Sequence, residues 1–277
     1  MPDSSIVADL RQHSWATISL SAEQSDALAA LRNEASKFFS QAEGTKRGHG
    51  SEDFNFGFRP YGRQYSISPD RPDMNESFTF WADNPATIPG HDATTVAPFI
   101  RPLRAYWTVA ADIAEDILAS VAAWYGEPST VIPFRNHSYL EVNWYYPSDR
   151  DLLQDRHEDG HLFTLAIPDS PGLEIEVSGR MEPFQVRENQ LLVMPGSLLT
   201  TMTAGEISPL YHQVRNHHLR RRLTVLFLVN PPLDRSVHPF VRSEDDQVDV
   251  AELARAKGTM FGLPLAPTNP DLITTAE

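Results

Sequence analysis

From Ile132 onward the apolar residues of this chain recur at every second position, in short runs cut by turn residues. The runs are Ser138 to Tyr146, His161 to Ile167, Leu173 to Val177, Gln190 to Met194, Tyr211 to Val214 and Leu223 to Val229, with breaks such as Asp169-Ser170-Pro171-Gly172 and Pro195-Gly196. A period of two belongs to an extended backbone whose successive side chains face opposite ways. Several short strands in series predict an antiparallel sandwich or barrel over residues 131–232.

Ahead of this block the signals are helical or irregular. A short apolar stretch from Trp15 to Leu20 leads into Ser21, Glu23 and an Ala/Leu/Phe-rich run to about Gln41, which reads as a capped amphipathic helix. Gly44 to Pro98 is rich in Gly, Pro, Asp, Asn and Arg and reads as ordered loop with short strands. From Phe99 to Tyr125, Leu103, Trp107, Ala110, Ala114, Ile117 and Val121 fall at helical spacing, and Gly126-Glu127-Pro128 ends the pattern. A last helix is expected from Val248 to Lys257, followed by a mobile Pro/Thr-rich tail. The expectation is one domain, mostly β with flanking helices: a helical and loop region over 1–130, the β core over 131–232, and a helix with tail over 233–277.

Composition narrows the functions open to such a fold. With 37 acidic and 23 basic residues the net charge is −14, the wrong sign for a phosphate-backbone partner, so no nucleic acid is expected. Met-Pro-Asp-Ser-Ser at the start is no export signal and no 18-residue uncharged apolar run occurs, so a cytoplasmic chain without a membrane partner is expected. There is no cysteine, which leaves His, Asp and Glu as the strong metal ligands.

One segment offers such ligands. Arg156-His157-Glu158-Asp159-Gly160-His161 lies between strand-like stretches, and on an extended backbone His157 and Asp159 point the same way. Two histidines and one carboxylate on one face of an octahedral Fe(II) leave positions open for a bidentate co-substrate and O2. The same residues also spell His-Glu-x-x-His, the zinc peptidase pattern, which works only on a helix; Gly160 and the strand-like Leu162-Phe163-Thr164-Leu165 argue against one. The third ligand comes from His212, His217 or His218, and His212 is favoured because the other two fall in a polar turn.

Tyr211 to Val214, the turn Arg215 to Leu219 and the run from Arg220 to Phe227 read as a β-hairpin. On its second strand Arg222 and Thr224 share a face, so a guanidinium and a hydroxyl together can grip a carboxylate beside His212. Upstream, His137, Tyr139, Glu141, Asn143 and Tyr145 alternate onto one polar face; periodicity alone leaves open whether that face or the one carrying Leu140, Val142 and Trp144 looks inward. Facing a pocket, Glu141 would favour a small-molecule substrate bearing an amine or several hydroxyls, since a buried carboxylate needs a partner. Arg59 and Arg63 lie in a candidate lid loop, where either could meet substrate and surface roles are the commoner fate.

Taken together these stretches resemble the isopenicillin N synthase-like branch of the Fe(II)/2-oxoglutarate-dependent dioxygenases, whose fold is a double-stranded β-helix, or jelly-roll. Glu141-Val142-Asn143-Trp144-Tyr145-Tyr146-Pro147 resembles the family strand ending in Asn-Tyr-Tyr-Pro, with one extra residue before the proline. His157 to Leu165, Gly172-Leu173-Glu174-Ile175, Gly196-Ser197-Leu198-Leu199, His212 and Arg222-Leu223-Thr224 resemble its later motifs, and Asp73-Met74-Asn75-Glu76-Ser77-Phe78 an upstream one.

The resemblance implies that His157, Asp159 and His212 hold Fe(II), and that Arg222 and Thr224 clamp the distal carboxylate of 2-oxoglutarate. Asn143 and Tyr145 would stand near that co-substrate, Tyr145 being preferred over Tyr146 because it shares Asn143's face. Oxidation of an unactivated C–H bond by O2, with release of succinate and CO2, would follow. Asp159 stands where related halogenases carry a small residue, which implies hydroxylation, desaturation or ring formation. An oxidase of the same fold that grips its substrate's own carboxylate through the arginine pair is the alternative.

Overall fold

The computed structural model describes residues 4–127, 132–185, 187, 189–241 and 247–256. The N-terminal part runs through α1 (Ser4–His13), β1 (Ala16–Ser19), α2 (Ala22–Phe39), α3 (Glu43–Arg47), β2 (Gly57–Arg59), β3 (Asn75–Trp81) and α4 (Ala97–Trp124). The β-rich part follows with β4 (Tyr139–Tyr145), β5 (Leu152–His157), β6 (Phe163–Pro168), β7 (Leu173–Val177), β8 (Arg180–Pro183) and β9 (Gln190–Pro195). It ends with α5 (Ser197–Met202), β10 (His212–Arg215), β11 (Arg222–Val229), β12 (Ser236–Val237), β13 (Val248–Asp249) and α6 (Val250–Ala256).

Helix α2 starts at a capping box in which the Ser21 hydroxyl accepts from the Gln24 N–H and the Gln24 side chain accepts from the Ser21 N–H. The reciprocal partner is thus Gln24 at the third helical position rather than Glu23. The long helix over 97–124 matches the expected apolar stripe, whereas α1, β5 and α5 had no place in the sequence expectation. The last helix is described over Val250–Ala256, preceded by the short strand β13; its expected end at Lys257 and the expected tail lie outside the described residues.

Two antiparallel sheets form the body. One has seven strands in the order β1-β9-β6-β11-β4-β3-β2, the other four in the order β5-β10-β7-β8. This is the double-stranded β-helix, mostly β with helices on its flank. The helices cover the outer face of the larger sheet: Trp144 stacks on Phe39 of α2 at 5.5 Å, Phe78 meets Phe38 at 5.1 Å, and Phe227 meets Trp107 of α4 at 5.5 Å. Every residue of β4 is therefore buried, Leu140, Val142 and Trp144 under helices and the polar alternates toward the smaller sheet.

The structure corrects the expected hairpin. β10 pairs with β5 and β7, while β11 pairs with β4 and β6, so residues 216–221 carry the chain from one sheet to the other. Asn216 ties the start of that crossing by donating to the carbonyls of Ser148 and Arg150 at 2.7 and 2.8 Å. On one open side of the sandwich the segment 60–74 bridges the two sheets, held to β5 by Arg71 on Asp155 at 2.7 and 2.8 Å and by the Met74 N–H on the Leu153 carbonyl at 2.7 Å.

Candidate active site

The last residue of β5 and the first of β10 are directly paired, which sets His157 against His212 with ring centroids 4.3 Å apart. Asp159 follows in the loop to β6, and one ligand atom from each of the three lies within 4.8 Å of the others. Each imidazole is oriented from behind: Nδ1 of His157 meets the Asp155 carbonyl at 2.7 Å and Nδ1 of His212 the Leu210 carbonyl at 3.1 Å. Carbonyls only accept, so both Nδ1 atoms carry a proton, which leaves Nε2 as the atom of each ring that can ligate a metal.

The carboxylate is held with equal care. Thr164 Oγ1 donates to Asp159 Oδ2 at 2.6 Å, leaving Oδ1 beside His157 Nε2 at 3.7 Å. Burial, reinforced by His212, lowers the His157 pKa to about 4, so the ring is neutral near pH 7. Burial opposes ionisation of Asp159, yet the His212, His157 and His161 rings and the Thr164 hydroxyl outweigh it and keep its carboxyl below the ordinary value. Neutral imidazoles and an ionised carboxylate are the forms a divalent transition metal binds. The loop is braced by Gly196, where a Cβ would stand 2.2 Å from the His161 carbonyl oxygen, and by the Ser197 N–H donating to the Asp159 carbonyl at 2.9 Å.

His161 stands apart from this cluster. Its Nδ1 meets Asn230 Oδ1 at 2.8 Å and its Nε2 the Tyr139 hydroxyl at 3.3 Å, and residues 157–161 form a strand end and a loop. The zinc peptidase geometry, which needs a helix, is not presented. His217 and His218 are exposed.

The same cavity reaches Arg222, Thr224, Tyr145 and Glu141, all on the inner face of the larger sheet. Arg222 is 2% exposed. Its Nη1 donates to Thr224 Oγ1 at 2.6 Å, its Nε to the Pro171 carbonyl at 3.2 Å, and its guanidinium lies 5.0 Å from the Tyr145 ring centre. Gly172 makes the room, since a Cβ there would stand 3.3 Å from Arg222 Nε and 2.8 Å from the Arg215 carbonyl oxygen. No ion pair among the described residues involves Arg222, although burial works against its charge. Asn143 Oδ1 accepts from Asn75 Nδ2 at 2.8 Å, and the Tyr145 hydroxyl donates to Gln154 at 3.1 Å. Tyr146 turns away to donate to Glu76 at 2.6 Å.

Four expectations change here. His137 lies in a single 3-10 turn over Arg135–His137 before β4, so it is not on the strand face and does not border the cavity. Tyr139 is on that face but packs on Trp81 at 4.3 Å and on His161, away from the cavity lining. Arg63 is exposed, over the Phe54 ring at 5.9 Å. Arg59, for which a surface role was the commoner expectation, is 1% exposed and stands 3.6 Å from Glu141. Glu141 itself borders the cavity and accepts from Gln64 at 3.1 Å; burial raises its pKa while Arg59 and Gln64 work the other way.

Gln64, Tyr65, Ser66 and Gln154, which no sequence signal singled out, also line the cavity, as does Glu158 of the His-Glu-x-x-His segment. The loop residues carry no periodic signal. Thr164 had one: it sits on the strand just after the His-x-Asp segment, with its side chain on the inner face. A separate surface cleft of about 840 Å³ between α2 and the β8–β9 segment contains none of the clustered residues.

Fold and site together describe a double-stranded β-helix with a two-histidine, one-carboxylate cluster at its centre. No family model matches the chain. In sequence it is similar to clavatol oxidase claD of Penicillium crustosum, 26% identical over 203 residues, spanning 65% of this chain and 57% of that protein. It is also similar to the 2-oxoglutarate-dependent dioxygenase citB of Monascus ruber, 27% identical over 256 residues and spanning 79% and 76%. The match thus covers little more than half of the first of these relatives.

Among solved structures, a full-length Neurospora crassa protein in complex with alpha-KG superposes with a TM-score of 0.74 at 17% identity, covering 91% of this chain and 90% of that one. JOX2 in complex with 2OG, Fe and JA gives 0.75 at 14% identity, covering 98% and 85%. The chain thus shares its fold with 2-oxoglutarate- and iron-binding proteins. Among the described residues, no helix is long and apolar enough to cross a membrane.

Proposed function

We propose that this chain is an Fe(II)/2-oxoglutarate-dependent oxygenase that oxidises a C–H bond of a small polar molecule. One observation carries the reading: Arg222, a buried guanidinium that forms no ion pair among the described residues, opens into the same cavity as the His157, Asp159 and His212 cluster. A protein interior tolerates such a charge where an anion completes it. The name of the relative from Monascus ruber and the ligands of the two structural neighbours support the same reading.

In this reading His157 Nε2, Asp159 Oδ1 and His212 Nε2 hold Fe(II), and their Nδ1 and Oδ2 partners keep the three in place. Arg222 and Thr224 receive the distal carboxylate of 2-oxoglutarate, with the Tyr145 ring against the guanidinium and Asn143 beside Thr224 across the β4–β11 pair. When bound, Fe(II), 2-oxoglutarate and O2 supply an oxidant strong enough for an unactivated C–H bond, with succinate and CO2 released. The chain's own part is to bind and orient the partners, to keep the His157 imidazole neutral, and to exclude water with the 60–74 segment.

Hydroxylation is the outcome we favour, since Asp159 fills the position that a halide would need. The motifs around Asn143, His157 and Arg222 support the isopenicillin N synthase-like branch, and a role in specialised metabolism accords with relatives such as clavatol oxidase. Adding Fe(II) and 2-oxoglutarate to the protein without oxygen should give a visible metal-to-ligand absorption band that Arg222→Ala abolishes. Intact Fe(II) binding with no band would transfer Arg222 to the substrate's own carboxylate and make the protein an oxidase.

A further inference from the structure

Within the barrel, β2, β3 and β4 set Arg59 beside Ser77 in one row of the inner face and Thr79 beside Glu141 in the next. Arg59 and Glu141 are 1% and 2% exposed. Arg59 Nη1 lies 3.6 Å from Glu141 Oε2, too far for a hydrogen bond, and among the described residues neither atom has a hydrogen-bond partner. The hydroxyls of Ser77 and Thr79 are buried without partners as well. Arg59 is fixed in place, because Nε and Nη2 both donate to the Phe54 carbonyl at 3.1 and 2.9 Å. Phe54 has a φ of 60°, a left-handed conformation that bulky residues rarely adopt, and strain of that kind collects at functional sites.

Four buried polar atoms without a hydrogen-bond partner in one patch are unusual in a native interior, where such atoms find protein, water or ligand. The patch backs onto the metal cavity through Glu141, which lines it. We propose that it is the substrate-recognition subsite, and that the substrate brings to it a neutral group carrying a donor and an acceptor side by side, as in a carboxamide, a lactam or a hydroxyl. The inference rests on the oxygenase reading of the cavity.

The choice of a neutral group follows from the pair. Ionised Glu141 Oε2 can only accept and Arg59 Nη1 can only donate. An ammonium would gain Glu141 and be repelled by Arg59; a carboxylate would gain Arg59 and be repelled by Glu141. The amine expected from Glu141 alone therefore gives way once Arg59 stands beside it. An amide N–H donating to Glu141 with its carbonyl accepting from Arg59 satisfies both atoms, and the Ser77 and Thr79 hydroxyls rotate to either role. A site of this sort rejects apolar analogues strongly, because they leave its buried groups unpaired.

The test uses the full chain with Zn(II) in place of Fe(II) and saturating 2-oxoglutarate, titrated by ligand-observed NMR with butanamide, butylammonium and butyrate. Butanamide should bind at least tenfold more tightly than either ion. Glu141→Gln should shift the ranking tenfold or more toward butyrate, and Arg59→Met toward butylammonium. The wild-type ranking decides the matter by itself if a variant does not fold. Either ion matching the amide, no binding by any probe, or an unchanged ranking in folded variants overturns the proposal. Repeating the wild-type titration without metal and 2-oxoglutarate, beside a separate 2-oxoglutarate titration, keeps the two readings apart. Amide preference with no 2-oxoglutarate binding sinks the oxygenase reading, and the converse sinks the subsite alone.

Discussion

Replacing Arg222 by methionine should move two measurements in opposite directions. The guanidinium is 2% exposed, donates to Thr224 Oγ1 and the Pro171 carbonyl, and forms no ion pair among the described residues. An uncompensated buried charge costs several kcal/mol, and methionine fills much of the same space without one. The metal-free, ligand-free protein should thus keep its melting temperature or gain. Binding of 2-oxoglutarate should collapse. A bidentate pair contributes two charge-assisted hydrogen bonds of roughly 1.5–3 kcal/mol each, together roughly 3–6 kcal/mol. At about 1.4 kcal/mol per decade the dissociation constant should weaken by roughly 10² to 10⁴. An anaerobic absorbance titration of the Fe(II) protein with 2-oxoglutarate reads the second effect, and a thermal scan of the apo protein the first. A change in affinity below about tenfold, or a loss of more than about 5 °C in Tm, would show that Arg222 serves the fold instead of an anion.

Three further perturbations probe the surroundings. Thr164→Val removes the hydroxyl at 2.6 Å from Asp159 and should weaken Co(II) or Fe(II) affinity by roughly 10–100-fold with unchanged far-UV dichroism; an unaltered affinity would deny that hydroxyl its orienting role. Lys46→Met strips Glu76 of its ammonium partner at 2.6 Å in a pair whose side chains are both 4% exposed, and should cost about 3–5 kcal/mol in urea denaturation. A cost below about 1 kcal/mol would mean that the Tyr146 hydroxyl suffices. Burial raises the Asp73 pKa from 3.8 to about 7 against the opposing Ser66 hydrogen bond. The folded state then holds a proton that the unfolded state has lost, so stability falls as pH rises from about 4 to about 7 and levels off above. That span is worth up to about 4 kcal/mol, and Asp73→Asn should remove it. Equal slopes of urea midpoint against pH in the two proteins would count against the assignment.

The sequence was legible where the physics is local. Strands with an apolar period stood out, and so did the cluster residues, because His157 and Asp159 are neighbours in the chain and His212 sits beside an apolar run. β5 was not readable: Leu152-Leu153-Gln154-Asp155-Arg156-His157 forms an edge strand with one side half in water, so its pattern carries charges where buried strands carry apolar residues. The false hairpin arose from a turn-like segment between two strand-like ones, a local signal that says nothing about which distant strand each will join. Counting alternate residues back from Glu141 placed His137 on a face that ends one turn earlier. Arg59 lay in a Gly- and Asn-rich stretch without period, and its burial is decided by Glu141 far along the chain, which no window around residue 59 contains.

The crossing over residues 216–221 divides the site between two jaws. The two histidines hang from the smaller sheet, whereas Arg222 and Thr224 belong to the larger one, so the span between the proposed metal site and the proposed clamp is fixed by the thickness of the sandwich. A dicarboxylate seated there acts as a gauge block in a caliper. If Arg222 and the His157/Asp159/His212 cluster hold the two ends of 2-oxoglutarate as proposed, homologues one methylene shorter or longer should fail at one jaw or the other. On the proposed reading, selectivity for co-substrate length would therefore reside in the packing that sets the spacing of the two sheets.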